Sequence, residues 1–200
     1  MIKKFLLWIS LVFLMAFALF SGEALLMQRS LAEKTLRLHV VANSDSIEDQ
    51  KQKLRVRDLV LEEVHSLTSR CNTFTETREK LRDHLAGLES SIADFLCKEG
   101  SFYDVSVTLC EESFSTRYYD TFSLPAGNYT SLRVAIGNGE GKNWWCVVFP
   151  TLCSASSMEE MDEIAQKGGY DDRELGMIRN EEPVYKLQFK MLELLRKFFR

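Results

Sequence analysis

The sequence predicts an α+β fold in which a single domain with a mostly antiparallel sheet follows an apolar N-terminal segment. Apolar and polar residues alternate, as in strands, over 36–41 and again in several stretches between 103 and 149. Apolar residues recur at helical spacing over 47–67, 81–95 and 184–198. The resulting order of one strand, two helices, four strands and a final helix lets neighbouring strands pair as hairpins. This favours an antiparallel sheet with helices on one face.

The N-terminal segment predicts export. The basic pair Lys3-Lys4 precedes an apolar run over residues 5–20, which is typical of a secretory signal or a short membrane anchor. As a helix this run spans about 24 Å, less than the roughly 30 Å hydrocarbon core of a bilayer. Gly22-Glu23-Ala24 offers small residues suited to cleavage, so cleavage is favoured over retention. We divide the chain into a signal or anchor segment, 1–24, and an exported domain, 25–200.

Residues 36–64 predict a strand, a polar turn and an amphipathic helix. The period of two is typical of a half-buried strand whose successive residues are Leu36, Arg37, Leu38, His39, Val40 and Val41. The short polar side chains over 43–46 favour a turn. Ser46 with Asp49, or Asp45 with Glu48, then resembles a capping box at the start of the helix.

A second helix, four strands and a final helix follow. Thr73 with Glu76 forms another capping box, and Gly100 ends the helix that it opens. Strands are predicted at 103–110, 116–124, 132–136 and 144–149, with a Gly-rich hairpin loop over 138–143. Residues 154–182 predict a long acidic excursion over the surface, containing one short helix at 158–166. Pro183 suits the start of the last helix.

Composition and motifs exclude several functions. An apolar content of 46% with 11% aromatic residues is enough to fill a core. The net charge of −4 comes with no basic stripe, which argues against nucleic-acid binding. The sequence lacks G-x-S-x-G, H-E-x-x-H, paired C-x-x-C and dinucleotide-binding motifs, and its three His are scattered. We expect no catalytic group, no metal site and no cofactor.

The residues alone leave two features with more than one interpretation. The turn over 43–46 either only caps the helix or also forms a recognition surface. Trp144 and Trp145 are adjacent in a strand and must face opposite ways, so one of them needs a second cover, either a helix or a partner. The five Cys leave at least one thiol unpaired in each monomer.

Three segments resemble the stage II sporulation protein R family of endospore-forming bacteria. They are RLHVVANSDSIEDQKQKLRVRD (37–58), GNGEGKNWWCVVFPTLC (137–153) and the terminal run over 184–195. Together they bracket nearly the whole predicted exported portion. Thr151 departs from the family pattern, which has a second Pro after Pro150, and this loosens a turn without touching any chemistry.

The resemblance implies a secreted signalling protein. Family members are made in the forespore and exported into the space between forespore and mother cell. There they activate a membrane-embedded aspartic protease, which processes the precursor of a mother-cell sigma factor. The family pattern contains Cys146 and Cys153, and a local bridge between them is the preferred pairing; the alternative is that all five Cys are packed hydrophobes. Within the matched segments the candidate partner-binding residues are His39, Asn43, Asp45, Asp49, Arg57, Asp58, Asn143, Trp144 and Trp145.

Two other classes of protein compete with this interpretation. An exported hydrolase would use His39 with Asp45, or a Cys, and would need a pocket where these side chains converge. A structural or cell-wall-associated module would show exposed aromatic grooves and often repeats, and the sequence contains no repeat.

Overall fold

The computed structural model of the chain describes residues 2–179 and 183–198. It has the predicted α+β architecture, with a four-stranded sheet, a separate two-stranded ribbon and helices before, between and after the strands. The helices are α1 (Ile2–Lys34), α2 (Ile47–Thr68), α3 (Phe74–Lys98), α4 (Met158–Lys167), α5 (Asp172–Arg179) and α6 (Pro183–Phe198). The strands are β1 (Leu36–Val41), β2 (Val105–Phe114), β3 (Arg117–Tyr118), β4 (Ser123–Leu124), β5 (Gly127–Ile136) and β6 (Asn143–Phe149).

The main sheet has the strand order β2-β5-β1-β6. The pairs β2–β5 and β1–β6 are antiparallel and the pair β1–β5 is parallel, so the prediction of a mostly antiparallel sheet is confirmed. Because β1 lies between β5 and β6, the prediction of a hairpin loop over 138–143 was wrong. This loop instead crosses over the end of β1 to reach the edge strand β6.

The strand β1 is buried on both faces, so the prediction of a half-buried strand was wrong. Leu36, Leu38 and Val40 pack against α2 and α3. On the other face Arg37 and His39 are 0% and 6% exposed. These two polar residues suggested a wet face, but aromatic rings and hydrogen-bond partners surround them. The central position of β1 fixes the point from which the turn and α2 leave the sheet.

A second core lies on the opposite face of the sheet, so the prediction that the helices cover one face was wrong. Its buried residues come from α1, α4, α5, the two-stranded ribbon and β6, among them Ala24, Leu31, Met161, Ala165, Leu175, Met177, Ile178, Leu124 and Val147. The first core, between the sheet and the α2–α3 hairpin, contains Val56, Val60, Leu88 and Ile92. The sheet is therefore the middle of three layers.

The described part of 154–182 belongs to that second core, which corrects the prediction of a surface excursion. The predicted helix at 158–166 is present as α4, and α5 was missed. Acidic residues suggested exposure, yet Glu174 is only 1% exposed. It is buried because Lys34 and Ser30 of α1 donate to its carboxylate at 2.8 and 2.6 Å.

Other boundaries also differ from the predictions: β2 ends at Phe114 rather than at 110, and β5 begins at Gly127 rather than at 132. The single strand predicted at 116–124 is two short strands, β3 and β4, that pair with each other in a separate ribbon, with the Tyr119 amide donating to the Phe122 carbonyl. The helix α1 continues without a break through position 24 to Lys34. It is long and apolar enough to cross a membrane. Its apolar residues at positions 5–19 are exposed, whereas Ala24 and Leu31 are buried in the second core.

Candidate functional site

The predicted site residues gather at the end of β1, where the chain turns into α2. Ser46 is the N-cap of α2, and its hydroxyl accepts a hydrogen bond from the Asp49 amide at 3.1 Å. Asp45, the other predicted cap, has a different partner. Its carboxylate accepts from the Lys142 amide at 2.7 Å and so joins the turn to the crossing loop. Asp45 therefore positions this loop and does not cap the helix.

Asp49 is the centre of the turn and is 7% exposed. Its carboxylate accepts from the Ser44 hydroxyl at 2.6 Å, the Asn43 amide group at 3.0 Å and the Tyr103 hydroxyl at 3.2 Å. The hydrogen bond from Ser44 lowers the pKa of Asp49 most, and it does so against the opposing effect of burial. The hydrogen bond from the Tyr103 hydroxyl to Asp49 raises the pKa of Tyr103, because ionised Tyr103 could not donate it.

The Gly-rich crossing loop, 137–142, folds down onto the turn. The Asn43 side-chain carbonyl accepts from the Asn138 amide at 3.0 Å, and the Gly141 amide donates to the Ala42 carbonyl at 2.9 Å. A Cβ at Gly141 would lie 2.3 Å from the Ser44 carbonyl oxygen, so this close approach requires Gly. Lys53 reaches from α2 to the Lys142 carbonyl at 2.9 Å, and burial lowers the pKa of its ammonium group.

His39 lies on the face of the sheet that points away from α2. Its Nδ1 is 3.0 Å from the Glu112 carboxylate and its Nε2 is 2.8 Å from the Asn143 side-chain oxygen. Its ring stacks on Trp145 with centroids 3.7 Å apart. Both ring nitrogens are therefore occupied, and Asp45, its partner in the hydrolase hypothesis, is bonded to Lys142 instead. The pairing of His39 with Asp45 on which that hypothesis depended is not formed.

The cysteine version of the hydrolase hypothesis also finds little support. Cys110 lies on the same face as Glu112, and burial followed by the charge of Glu112 raises the pKa of its thiol. A raised pKa reduces the thiolate fraction that a nucleophile needs. Within residues 2–179 and 183–198, no three His, Cys, Asp or Glu side chains lie close enough together to hold a metal ion.

Of the remaining candidates, Arg57, Asp58 and Trp144 line a groove between α2 and β6, whereas Asn143 and Trp145 do not. Trp144 and Trp145 face opposite sides of the sheet, as predicted: Trp144 packs at the edge of the first core and Trp145 against His39. The Arg57 guanidinium lies 4.9 Å from the Trp144 ring centroid, and Arg57 forms an ion pair with Asp58 at 2.6 Å. The groove encloses about 400 Å³.

Cys146 and Cys153 form a disulfide with their Cα atoms 6.2 Å apart. Cys146 is buried in β6, and the bridge holds the short 3₁₀ helix Leu152–Ser154 beside the end of that strand. The other three cysteines, Cys71, Cys97 and Cys110, are unpaired.

Sequence reasoning missed three residues that organise the site. Glu112 holds His39, and Tyr103 supports Asp49 from a distant part of the chain. Arg37 is fully buried, with its guanidinium carbon 3.9 Å from the Phe114 ring centroid and a hydrogen bond to the Tyr119 hydroxyl at 2.9 Å. The available signal was the pair Arg37 and His39 inside an otherwise apolar strand, since buried polar groups need partners.

These features define an α+β domain carried on an apolar helix, with polar residues that hold its loops in place and a narrow groove beside its edge strand. The family model described as stage II sporulation protein R matches residues 32–159. The chain therefore belongs to the stage II sporulation protein R family, as the resemblance implied, and its role lies in sporulation.

A curated relative agrees with this assignment. Stage II sporulation protein R of Bacillus subtilis (strain 168) is 36% identical to the chain over 121 residues, which are 60% of this chain and 54% of the relative. The match thus spans about half the length of that relative. No solved structure matches the chain.

Proposed function

We propose that the chain is an exported signalling protein that activates a membrane-embedded aspartic protease, which in turn processes the precursor of a mother-cell sigma factor. The observation that carries the proposal is the family match over residues 32–159. The apolar helix α1, with its exposed residues at positions 5–19, suits export and residence at a membrane. On this proposal the protein acts in the space between the forespore and mother-cell membranes.

The proposed mechanism is that of a ligand rather than a catalyst. A ligand activates a receptor when it binds the active conformation more tightly than the inactive one, and it needs no reacting group of its own. The arrangement of His39 supports this, because both of its ring nitrogens are engaged within the domain. The turn at 43–49 and the groove between α2 and β6 are the surfaces proposed to meet the protease.

Co-expression of the full chain with the candidate protease and its sigma-factor precursor tests the proposal. We expect precursor cleavage only when the exported chain is present. A chain lacking residues 1–24 is the control; it should remain in the cytoplasm and leave the precursor intact. Cleavage that is equally fast without the chain, or with the unexported control, overturns the proposal.

A further inference from the structure

The strand β6 is an edge strand with backbone groups turned away from the sheet. In the described part of the chain it pairs only with β1. The Val147 amide does not serve this pairing, because it donates to the Cys153 sulfur at 3.1 Å. In an antiparallel pair, residues alternate between bonding the partner strand and pointing outward. Since Val147 points outward, the N–H and C=O of Trp145 point outward as well.

The disulfide-held segment covers one end of this edge. Cys153 occupies the outward position at Val147, so an incoming strand is confined to the part of β6 from Asn143 to Trp145. The other edge of the sheet is protected differently. There the Glu89 carboxylate of α3 accepts from the Val107 amide of β2 at 3.0 Å. The open edge belongs to β6, and β6 also forms one wall of the groove.

The groove begins at Trp144, next to the outward edge, and continues along the covered part of β6, where Thr151, Cys153 and Ser154 also line it. The side chains of Trp144, Cys146 and Val148 point towards α2, which supplies Leu61 and Val64 to the same cleft. Arg57 and His65 stand at its rim with Asp58 and Glu62, so an apolar floor is bordered by charges of both signs. About 400 Å³ is room for a few side chains, and an open edge strand next to a helix is a geometry that captures extended peptides.

We propose that β6 is a docking site for an extended segment of a partner protein, which adds as a fifth strand at Trp145 and places alternate apolar side chains in the groove between α2 and β6. Backbone hydrogen bonds to Trp145 set the register. The groove selects every second side chain because side chains of a strand alternate between its faces. The inference deepens the proposed function and rests on it only for the identity of the partner.

A phage-displayed library of linear eight-residue peptides, selected on the full chain in detergent, tests the docking site without any sporulation component. We expect enrichment of sequences with apolar residues at every second position. A synthetic peptide from the selection should slow hydrogen exchange of the Trp145 amide by about tenfold or more, because that amide gains a partner. The Trp144 and Cys146 amides, which by the same alternation point towards β1, should change little.

Two substitutions on α2 test whether the peptide binds in the groove or at another part of this helix. Leu61→Glu places a charge in the groove and should weaken binding of the selected peptide by about tenfold or more. Leu54→Glu is the matched control: it lies seven positions earlier on the same helix, is 39% exposed and does not line the groove. It should leave binding within about twofold.

Several results overturn the proposal. They are no enrichment, equal binding to Leu61→Glu and Leu54→Glu, or peptide binding without protection of Trp145. Enrichment of helical sequences would also overturn it, since a helix cannot extend the sheet. If the selected peptides bind as expected while the co-expression assay shows no activation, the docking site stands and the proposed function fails.

Discussion

At the scale of single residues, Asp49 has the strongest link to both fold and site. Three side chains donate to its carboxylate, and its own amide is bonded to the Ser46 cap. These contacts join β1, the start of α2 and the segment before β2. Hydrogen bonds to a charged acceptor contribute about 1.5–3 kcal/mol each at most, and much less where water competes.

Asp49→Asn should lower the free energy of unfolding by about 1–3 kcal/mol at neutral pH, because it removes the charge that these donors address. The pKa of Asp49 in the folded protein lies below its ordinary value of 3.8. Its stabilisation is therefore fully present above about pH 4 and is lost as pH falls through the folded pKa. Urea melts from pH 7 to pH 2.5 should show the difference between wild type and variant shrinking at acid pH.

Asp58→Asn provides the control for that series. The Asp58 side chain is 63% exposed and pairs with Arg57 at the surface, where ion pairs contribute about 0–1 kcal/mol. An equal loss of stability in both variants, or a difference between Asp49→Asn and wild type that does not change with pH, would contradict the role given to Asp49.

Substitutions of the neighbouring residues Ser46 and Asp45 should have different effects on the fold. Ser46→Ala removes the N-cap of α2 and should cost about 0.5–2 kcal/mol of unfolding free energy. Asp45→Ala releases the Lys142 amide, so hydrogen exchange should speed up in the crossing loop while α2 stays protected. Amide exchange of both variants, read residue by residue, decides this; faster exchange at the first turn of α2 in Asp45→Ala would restore the capping role to Asp45.

At this scale the sequence predicted what depends on neighbours in the chain. The Ser46 cap was one of two options because the capping pattern is local. The distant partners of Asp49, His39 and Arg37 were not predictable, because only the tertiary fold brings Tyr103, Glu112 and Phe114 to them. No spacing rule in the sequence gives these contacts.

At the scale of elements, β6 combines several roles. Its two faces carry different tryptophans, its outer edge at Trp145 is the proposed docking site, and the disulfide lies at its far end. The predictions located this strand correctly to within a residue, since its aromatic and β-branched residues are typical of strands. Its position at the edge was not predictable, because β1 lies between β5 and β6 although two helices and three strands separate β1 from β5 in the chain.

Alanine substitution of Trp145 should mainly lower stability, whereas alanine substitution of Trp144 should mainly impair activation of the protease. Trp145→Ala removes the stack on His39 and the edge contact with Phe114, whose ring centroid is 4.9 Å away, so it should act mainly by lowering stability. Trp144→Ala should impair activation more than its melting temperature explains, because Trp144 lines the groove. Thermal melts paired with the co-expression assay test this; activity that follows folded protein in both variants would remove Trp144 as a partner contact.

The disulfide should stabilise the domain by holding the segment after β6 against that strand. In exported protein, Cys146 and Cys153 should resist alkylation until reduction, while Cys97, which is exposed, should react at once. Removal of a native disulfide from a small secreted domain costs about 2–5 kcal/mol, and a short loop belongs at the lower end. Mass analysis of peptides under non-reducing conditions would show the linkage; two freely alkylated thiols in folded protein would return this pair to the role of packed hydrophobes.

At the scale of the whole molecule, α1 has an exposed apolar N-terminal half and a C-terminal half that packs in the second core. The acidic and polar residues of 154–182 concealed that core in the sequence, because the buried Glu174 accepts from the distant Lys34 and Ser30 on α1 as well as from the nearby Asp171 amide. The C-terminal half of α1 is thus a component of the domain. A cleavage site after position 24 would fall within the helix, next to the fully buried Ala24.

Two truncations should therefore have different effects. A chain that starts at residue 21 loses the exposed apolar run and export but keeps Ala24, Leu31 and Lys34, so its melting temperature should stay within a few degrees of the full chain. A chain that starts at residue 35 loses all three. Burial of one leucine side chain alone stabilises by about 1.5–3 kcal/mol, and Glu174 would remain buried without its lysine, so this chain should fail to fold cooperatively. Circular dichroism melts of both chains in buffer decide the matter. If the chain starting at residue 35 melts like the one starting at 21, α1 is only a leader and the domain begins at β1.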